Sequence, residues 1–195
     1  MSLRVLGLDP GTATFGWGMV ESGGDRPRYI THGLITTSST LSLGERLLHI
    51  RTELTQIARS ERPDRIAIER IFSQGNLQSA VAVAAARGLA LMIAAELMIE
   101  VVEATPSEMK SAIAGDGRAS KSGVIHAVTN LLNIAGRPLA DDAADALGLA
   151  IWGAGALRMQ QLAGSARLDR SASAGASQES GFDRAVRKAL RRERR

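Results

Sequence analysis

Four carboxylates stand where a fold can bring them together. Asp9 closes an apolar run in Gly7-Leu8-Asp9-Pro10-Gly11, and Glu69 closes the run Asp64-Arg65-Ile66-Ala67-Ile68-Glu69. Asp142 and Asp145 lie three apart in an alanine-rich stretch that starts a helical pattern, so they share a helix face. Asp141 and Asp145, four apart, would share one too, and spacing alone leaves that choice open. Carboxylates held together repel, and near neutral pH they stay ionised only beside a neutralising cation. An all-oxygen donor set suits Mg2+ or Mn2+ rather than zinc. Two such ions about 3.5–4 Å apart form a clamp for phosphodiester hydrolysis, and four carboxylates suffice to hold them. Taken singly, Asp9 before Pro-Gly is an ordinary turn residue, and Asp142 and Asp145 favour a helix dipole. Glu69 resists that reading, because it continues an Ile-Ala-Ile run that should be buried.

Groups suited to a polyanion lie close by in sequence. Arg70-Ile71-Phe72-Ser73-Gln74-Gly75-Asn76 follows Glu69 directly, and Phe72 in this polar segment is one of six aromatic residues in the chain. Such a side chain either wedges against unpaired bases or tucks under its own loop. Arg70, Ser73 and Asn76 share the segment. Lys110, Arg118 and Lys121 surround a Gly115–Gly117 loop that precedes a helix N-terminus, which makes either a phosphate seat or an ordinary capped loop. His32, His49 and His126 have no ligand spacing and are assigned no chemistry.

The elements that must position these residues follow from periodicity. Leu3–Asp9, Phe15–Glu21 and Tyr29–Thr37 read as three strands of an antiparallel meander. Leu43–Ala58 has helical spacing, Asp64–Glu69 and Val101–Ala104 read as strands, and Asn76–Glu100 reads as a long alanine-rich helix. A short helix opens at Pro106, another runs from the N-cap Ser120 to about Asn133, and the last covers about Ala140–Leu162. The expectation is an α/β domain: a mixed five-stranded sheet, three antiparallel strands then parallel ones, flanked by helices. Parallel pairing of the first and fourth strands would bring Asp9 and Glu69 out at one sheet edge. The Asn76–Glu100 helix is apolar nearly all round, so a second side is free to meet a partner copy. Val81–Ile99 has the length of a membrane span, but Arg87, Glu96 and its many alanines favour a buried soluble helix.

Charge is unevenly placed along the 195 residues. The net charge is +4, yet residues 164–195 hold nine basic and four acidic residues, so the basic excess belongs to this Ser/Ala/Gly-rich stretch. The chain is thus expected to divide into a folded domain, 1–163, and a flexible basic tail, 164–195, that adds salt-sensitive affinity for a polyanion. With no cysteine there is no disulfide framework and no thiol nucleophile, and the early apolar stretch lacks a cleavage site. The expected location is the cytoplasm.

The segments VLGLDPGTATFGWGMVE, IAIERIFSQGN, TPSEMK, GDGRASKS and ADDAADALGLAIW together, in this order and spacing, resemble the RuvC family of Holliday-junction resolvases over about Leu3 to Leu157. The resemblance implies a ribonuclease-H-like fold, a homodimer, and Mg2+-dependent paired cuts in four-way DNA junctions during recombination and repair. Those cuts leave 5′-phosphate and 3′-hydroxyl ends. The family's metal-binding acids fall on Asp9, Glu69, Asp142 and Asp145, its Asp-Ala-Ala-Asp spacing selecting Asp142 over Asp141. The resemblance also implies that Phe72 sits at the exchange point, that Lys110 and Lys121 lie near the active site with Lys121 stabilising the transition state, and that a branch-migration helicase complex (RuvA and RuvB) is a partner. Two rivals remain. Leu8-Asp9-Pro10-Gly11-Thr12 is similar to the phosphate loop of actin-like ATPases and sugar kinases, and a non-catalytic junction-binding protein would use the acids for structure alone.

Overall fold

The first strand decides the architecture, because it pairs on both sides. In the computed structural model, which describes residues 2–23, 26–70 and 77–155, Leu3–Asp9 (β1) runs antiparallel to Thr14–Ser22 (β2), with Asp9 opposite Gly16 and Gly7 opposite Gly18. Arg28–Thr36 (β3) extends the meander. On its other side β1 runs parallel to Arg65–Glu69 (β4), Gly7 opposite Ala67 and Leu8 opposite Ile68. Glu100–Ala104 (β5) adds a second parallel pair. The strand order is β3-β2-β1-β4-β5, the mixed five-stranded sheet expected from the meander-then-alternation pattern.

Strand alternation sorts side chains between two helical layers. Leu6, Leu8, Ile66 and Ile68 join one buried cluster with Ile50 and Leu54 of Leu43–Glu61 (α1) and with Ala90 and Ile93 of Leu77–Glu96 (α2). Val5 and Ala67 join another, with Met109 of Pro106–Ala114 (α3), Val128 of Lys121–Leu132 (α4) and Leu147 of a helix over residues 141–155 (α5). Capping boxes Ser42/Glu45 and Thr105/Glu108 start α1 and α3, and Ser120 caps α4 as its sequence position suggests.

Two helix ends differ from expectation. The α1 helix runs past Ala58 to Glu61, because its last turn is solvent-facing and carries no apolar period; Arg62 closes it in the left-handed region. The α2 helix stops at Glu96 rather than Glu100. Met98 reverses the chain at φ 55°, and the Ile99 N–H reaches back to the Ala94 carbonyl at 2.8 Å. Leu97 and Ile99 still pack on the core, so the apolar pattern runs through a stop made by backbone geometry. The expected starting residue of this helix, Asn76, and the stretch from 156 to Leu162 lie outside the described residues.

The α2 helix is two-sided. Ala86, Ala90, Ile93 and Ala94 are buried against the sheet, whereas Val81, Ala84, Gly88, Met92 and Ala95 are exposed along the opposite stripe. Ser79–Glu96 has the length and apolar composition of a membrane span, and one side of it packs into the core.

Candidate active site

Asp9 and Glu69 are the last residues of two neighbouring parallel strands, and each is two residues beyond the paired Gly7 and Ala67. Alternation therefore puts both on the face covered by α5. That helix lies against the sheet with unusually little between them. A Cβ on Gly7 would sit 1.9 Å from the Ala146 carbonyl oxygen, and one on Gly16 would sit 2.1 Å from the Asp142 carbonyl oxygen. Only residues without side chains permit this approach. Gly16 is Asp9's partner in the ladder, so the first turn of α5 is pressed beside Asp9. Asp142 and Asp145 belong to that turn.

The consequence is a set of carboxylates that disturb one another. Burial, then the charges of Asp145, Glu69 and Asp142, push the Asp9 carboxyl up to about 7, with Lys121 opposing. Burial followed by Asp145 raises Glu69, with Lys110 opposing. Burial is also the main cause that raises Asp145; Lys121 and Lys110 pull it down, and Asp142 and Asp141 push it up. Asp142, and not Asp141, acts on Asp9. Asp141 instead faces outward, its Oδ2 3.4 Å from the Lys121 Nζ, and this hydrogen bond raises the lysine.

Lys121 at the start of α4 and Lys110 in α3 thus flank the acids from two elements. Arg118 stands apart: its side chain is exposed and is not among the charges acting on Asp9, Glu69 or Asp145. Its backbone N–H donates to the Asp116 carboxylate at 2.9 Å, and Gly117 lies tight against the Ser107 and Ser111 hydroxyls, so this loop is built on α3. Arg70 donates its backbone N–H to the Ala104 carbonyl at 2.7 Å, and its Nε is 3.7 Å from the Glu103 carboxylate. Phe72, Ser73 and Asn76 lie outside the described residues.

Two features escaped the sequence reading. Arg87 on α2 donates to the Glu69 backbone carbonyl at 3.3 Å and pairs with Glu103 at 2.5 Å. The signal was present, since Arg87 is the one charged residue between Leu77 and Ala95. Glycines 7, 16 and 18 inside strands were the other signal, marking where a backbone comes close.

Among the described residues no three acidic or histidine side chains close on a single point at ligating distance. The fit to divalent cations rests on the donor set, carboxylate oxygens alone, and on burial joined by mutual repulsion, which together lift Asp9 to about 7. A doubly charged ion removes that repulsion.

The RuvC family model, described as crossover junction endodeoxyribonuclease RuvC, matches residues 5–152. A crossover junction endodeoxyribonuclease RuvC from Rubrobacter xylanophilus is 43% identical over 160 residues, which cover 82% of this chain and 89% of that protein. The Thermus thermophilus RuvC solved with a Holliday junction substrate superposes with a TM-score of 0.76 at 30% identity, covering 81% of this chain and 96% of that one. The yeast mitochondrial Holliday junction resolvase, at 14% identity and a TM-score of 0.58 over 77% of each chain, shares the fold.

Proposed function

The chain belongs to the RuvC family of crossover junction endodeoxyribonucleases, and from that premise we propose that Asp9, Glu69, Asp142 and Asp145 are the acids with which it cuts four-way DNA junctions. Family membership makes it a divalent-metal-dependent, DNA-binding nuclease of recombination and repair. The observation that supports these residues is their placement: two carboxylates on adjacent parallel strand ends, beneath a helix turn that brings two more. Two Mg2+ ions per site is the stoichiometry a four-carboxylate set suits, with Mn2+ a chemical substitute. When bound, such ions supply an activated water and neutralise the charge of the cleaved phosphodiester.

The protein's own part is positioning and charge. Asp9 must release its proton before it can serve as a ligand, because its carboxyl titrates near 7 without a cation. Lys110 and Lys121 offset negative charge beside the acids, and Lys121 is assigned to stabilise the pentacoordinate phosphorus of the transition state. Arg70, Phe72, Ser73 and Asn76 follow Glu69 directly and are assigned to the junction's strands, with Phe72 at the exchange point. Arg118 is assigned to a phosphate further from the chemistry.

A two-fold substrate cut symmetrically calls for two sites, and the exposed stripe of α2 (Val81, Ala84, Gly88, Met92, Ala95) supports a homodimer through this helix. The folded nuclease is assigned to residues 1–163, residues 164–195 to a basic tail, and the location to the cytoplasm, with a branch-migration complex of RuvA and RuvB as partner. The test compares a synthetic four-way junction with linear duplex under Mg2+, Mn2+, Ca2+ or chelator. Paired nicks confined to the junction and to Mg2+ or Mn2+ are expected. Metal-independent nicking, or equal cutting of duplex, contradicts the assignment, and ATP turnover without cutting would favour the kinase-like reading.

A further inference from the structure

The reaction requires that Glu69 stay in place, yet Glu69 sits at the very end of β4, where the ladder offers little support. Its neighbour on β5 is Ala104, the last residue of that strand. Beyond this point two contacts among the described residues hold the backbone. The Arg70 N–H donates to the Ala104 carbonyl at 2.7 Å, and the Glu69 carbonyl accepts from the Arg87 Nε at 3.3 Å. Arg87 is itself fixed by Glu103, to which its Nη2 donates at 2.5 Å. The same carboxylate lies 3.7 Å from the Arg70 Nε. Glu103 is therefore a hub between α2, the end of β4 and the first residue after it.

We infer that Arg87 and Glu103 are a positioning pair, which fixes the peptide of Glu69 and so aims its carboxylate at the metal site. Neither side chain belongs to the acidic cluster: Glu103 pairs with Ile68 in the β4–β5 register and so lies on the α2 face, whereas Glu69 lies on the α5 face. The pair acts through the backbone. Rotation of the Glu69–Arg70 peptide at the strand end swings the side chains on both flanking Cα atoms, that of Glu69 included, and a displacement of about 1 Å in a reacting geometry costs on the order of 100-fold in rate. A partly exposed ion pair contributes little stability by itself. Here Arg87 is mostly buried, and its planar fork serves two acceptors at once, which a lysine ammonium does not reproduce in the same geometry. The inference rests on Glu69 being a metal ligand, and its test separates the two claims.

The variants are Arg87→Met, Arg87→Lys, Glu103→Gln and the control Glu69→Gln, each in the full chain. Measurements are single-turnover cleavage at saturating Mg2+, junction affinity in Ca2+, thermal unfolding in chelator, and calorimetric Mn2+ binding to the metal-free protein. Arg87→Met and Glu103→Gln are expected to cut about 10-fold or more slowly and to bind Mn2+ about 10-fold more weakly, as loss of a supporting contact does, with junction affinity held within about twofold. Arg87→Lys, which retains a cation for Glu103, is expected to keep the melting temperature without restoring the rate. Wild-type cleavage and Mn2+ affinity in Arg87→Met and Glu103→Gln, beside an inactive Glu69→Gln, overturn the pair while leaving the metal site intact. A rate loss matched by an equal loss of junction affinity also overturns it, because the pair would then be a DNA contact. A Glu69→Gln variant that cuts at the wild-type rate overturns the site, and this inference with it.

Discussion

Gly16 and Asp142 meet so closely that a Cβ on the glycine would lie 2.1 Å from the aspartate's carbonyl oxygen. The contact is between a strand and a helix backbone, directly opposite Asp9 in the β1–β2 ladder. Under the proposed assignment of the four acids it makes a packing requirement a catalytic one, since the seat of α5 sets where Asp142 and Asp145 stand. Gly16→Ala is expected to push the first turn of α5 outward, lower stability by about 1–3 kcal/mol, and reduce cleavage by on the order of 100-fold. Gly44→Ala is the control, because a Cβ there meets nothing within 4 Å. Rates from both variants at a temperature where each is folded decide the matter. Equal activity would mean that α5 tolerates displacement.

The far end of α5 gives a contrasting case. Arg65 is 2% exposed and donates to the Gly153 carbonyl at 3.3 Å and to Glu100 at 2.6 Å. Arg65→Ala is expected to cost about 2–4 kcal/mol through lost packing and an orphaned carbonyl, with kcat little changed in whatever remains folded. Chemical unfolding with parallel kinetics checks this. A large loss of kcat at full folding would place Arg65 in the catalytic machinery.

The pH dependence has a definite sign. Folding raises the Asp9 carboxyl from 3.8 to about 7, so between those values the folded, metal-free protein holds a proton that the unfolded chain has released. Stability from this source is greatest at acidic pH and is lost as pH rises toward 7. Glu69 and Asp145 shift in the same direction. In chelator, melting temperature should fall as pH climbs from about 5 to about 8, and Asp9→Asn should flatten the slope and melt higher at the alkaline end. Added Mg2+ should reverse the trend by favouring the ionised site. A melting temperature that rises over this range in chelator for the wild type alone would contradict the burial of Asp9.

The basic stretch lends itself to truncation. Residues 164–195 carry the whole of the positive excess, the rest of the chain being slightly negative. Ending the chain after Ala163 is expected to preserve Mg2+-dependent cutting and to reduce the slope of junction affinity against salt, because fewer counterions are released on binding. Loss of all cleavage would show that the tail takes part in catalysis.

Much of the sheet was legible because each strand is a short β-compatible run with a turn or polar flank. Pro10-Gly11 stops β1, and the Ile66–Ile68 run could only be a buried strand. Asp9 and Glu69 were findable as strand ends, and the resemblance in spacing chose Asp142 over Asp141, which the structure turns outward to Lys121. The stop of α2 at Glu96 was not legible, because Leu97 and Ile99 extend the apolar pattern across a left-handed residue. The glycine seat of α5 and the Arg87–Glu103 pair depend on elements remote in sequence, and no local pattern states which helix will lie on which strand.

The central claim is that Asp9 and Glu69 are metal-holding acids of one site, and its most direct measurement uses isosteric amides. Asp9→Asn and Glu69→Gln, assayed on a synthetic four-way junction in Mg2+, are expected to leave the DNA uncut while binding it with near wild-type affinity. Cleavage by either variant at the wild-type rate would contradict the account.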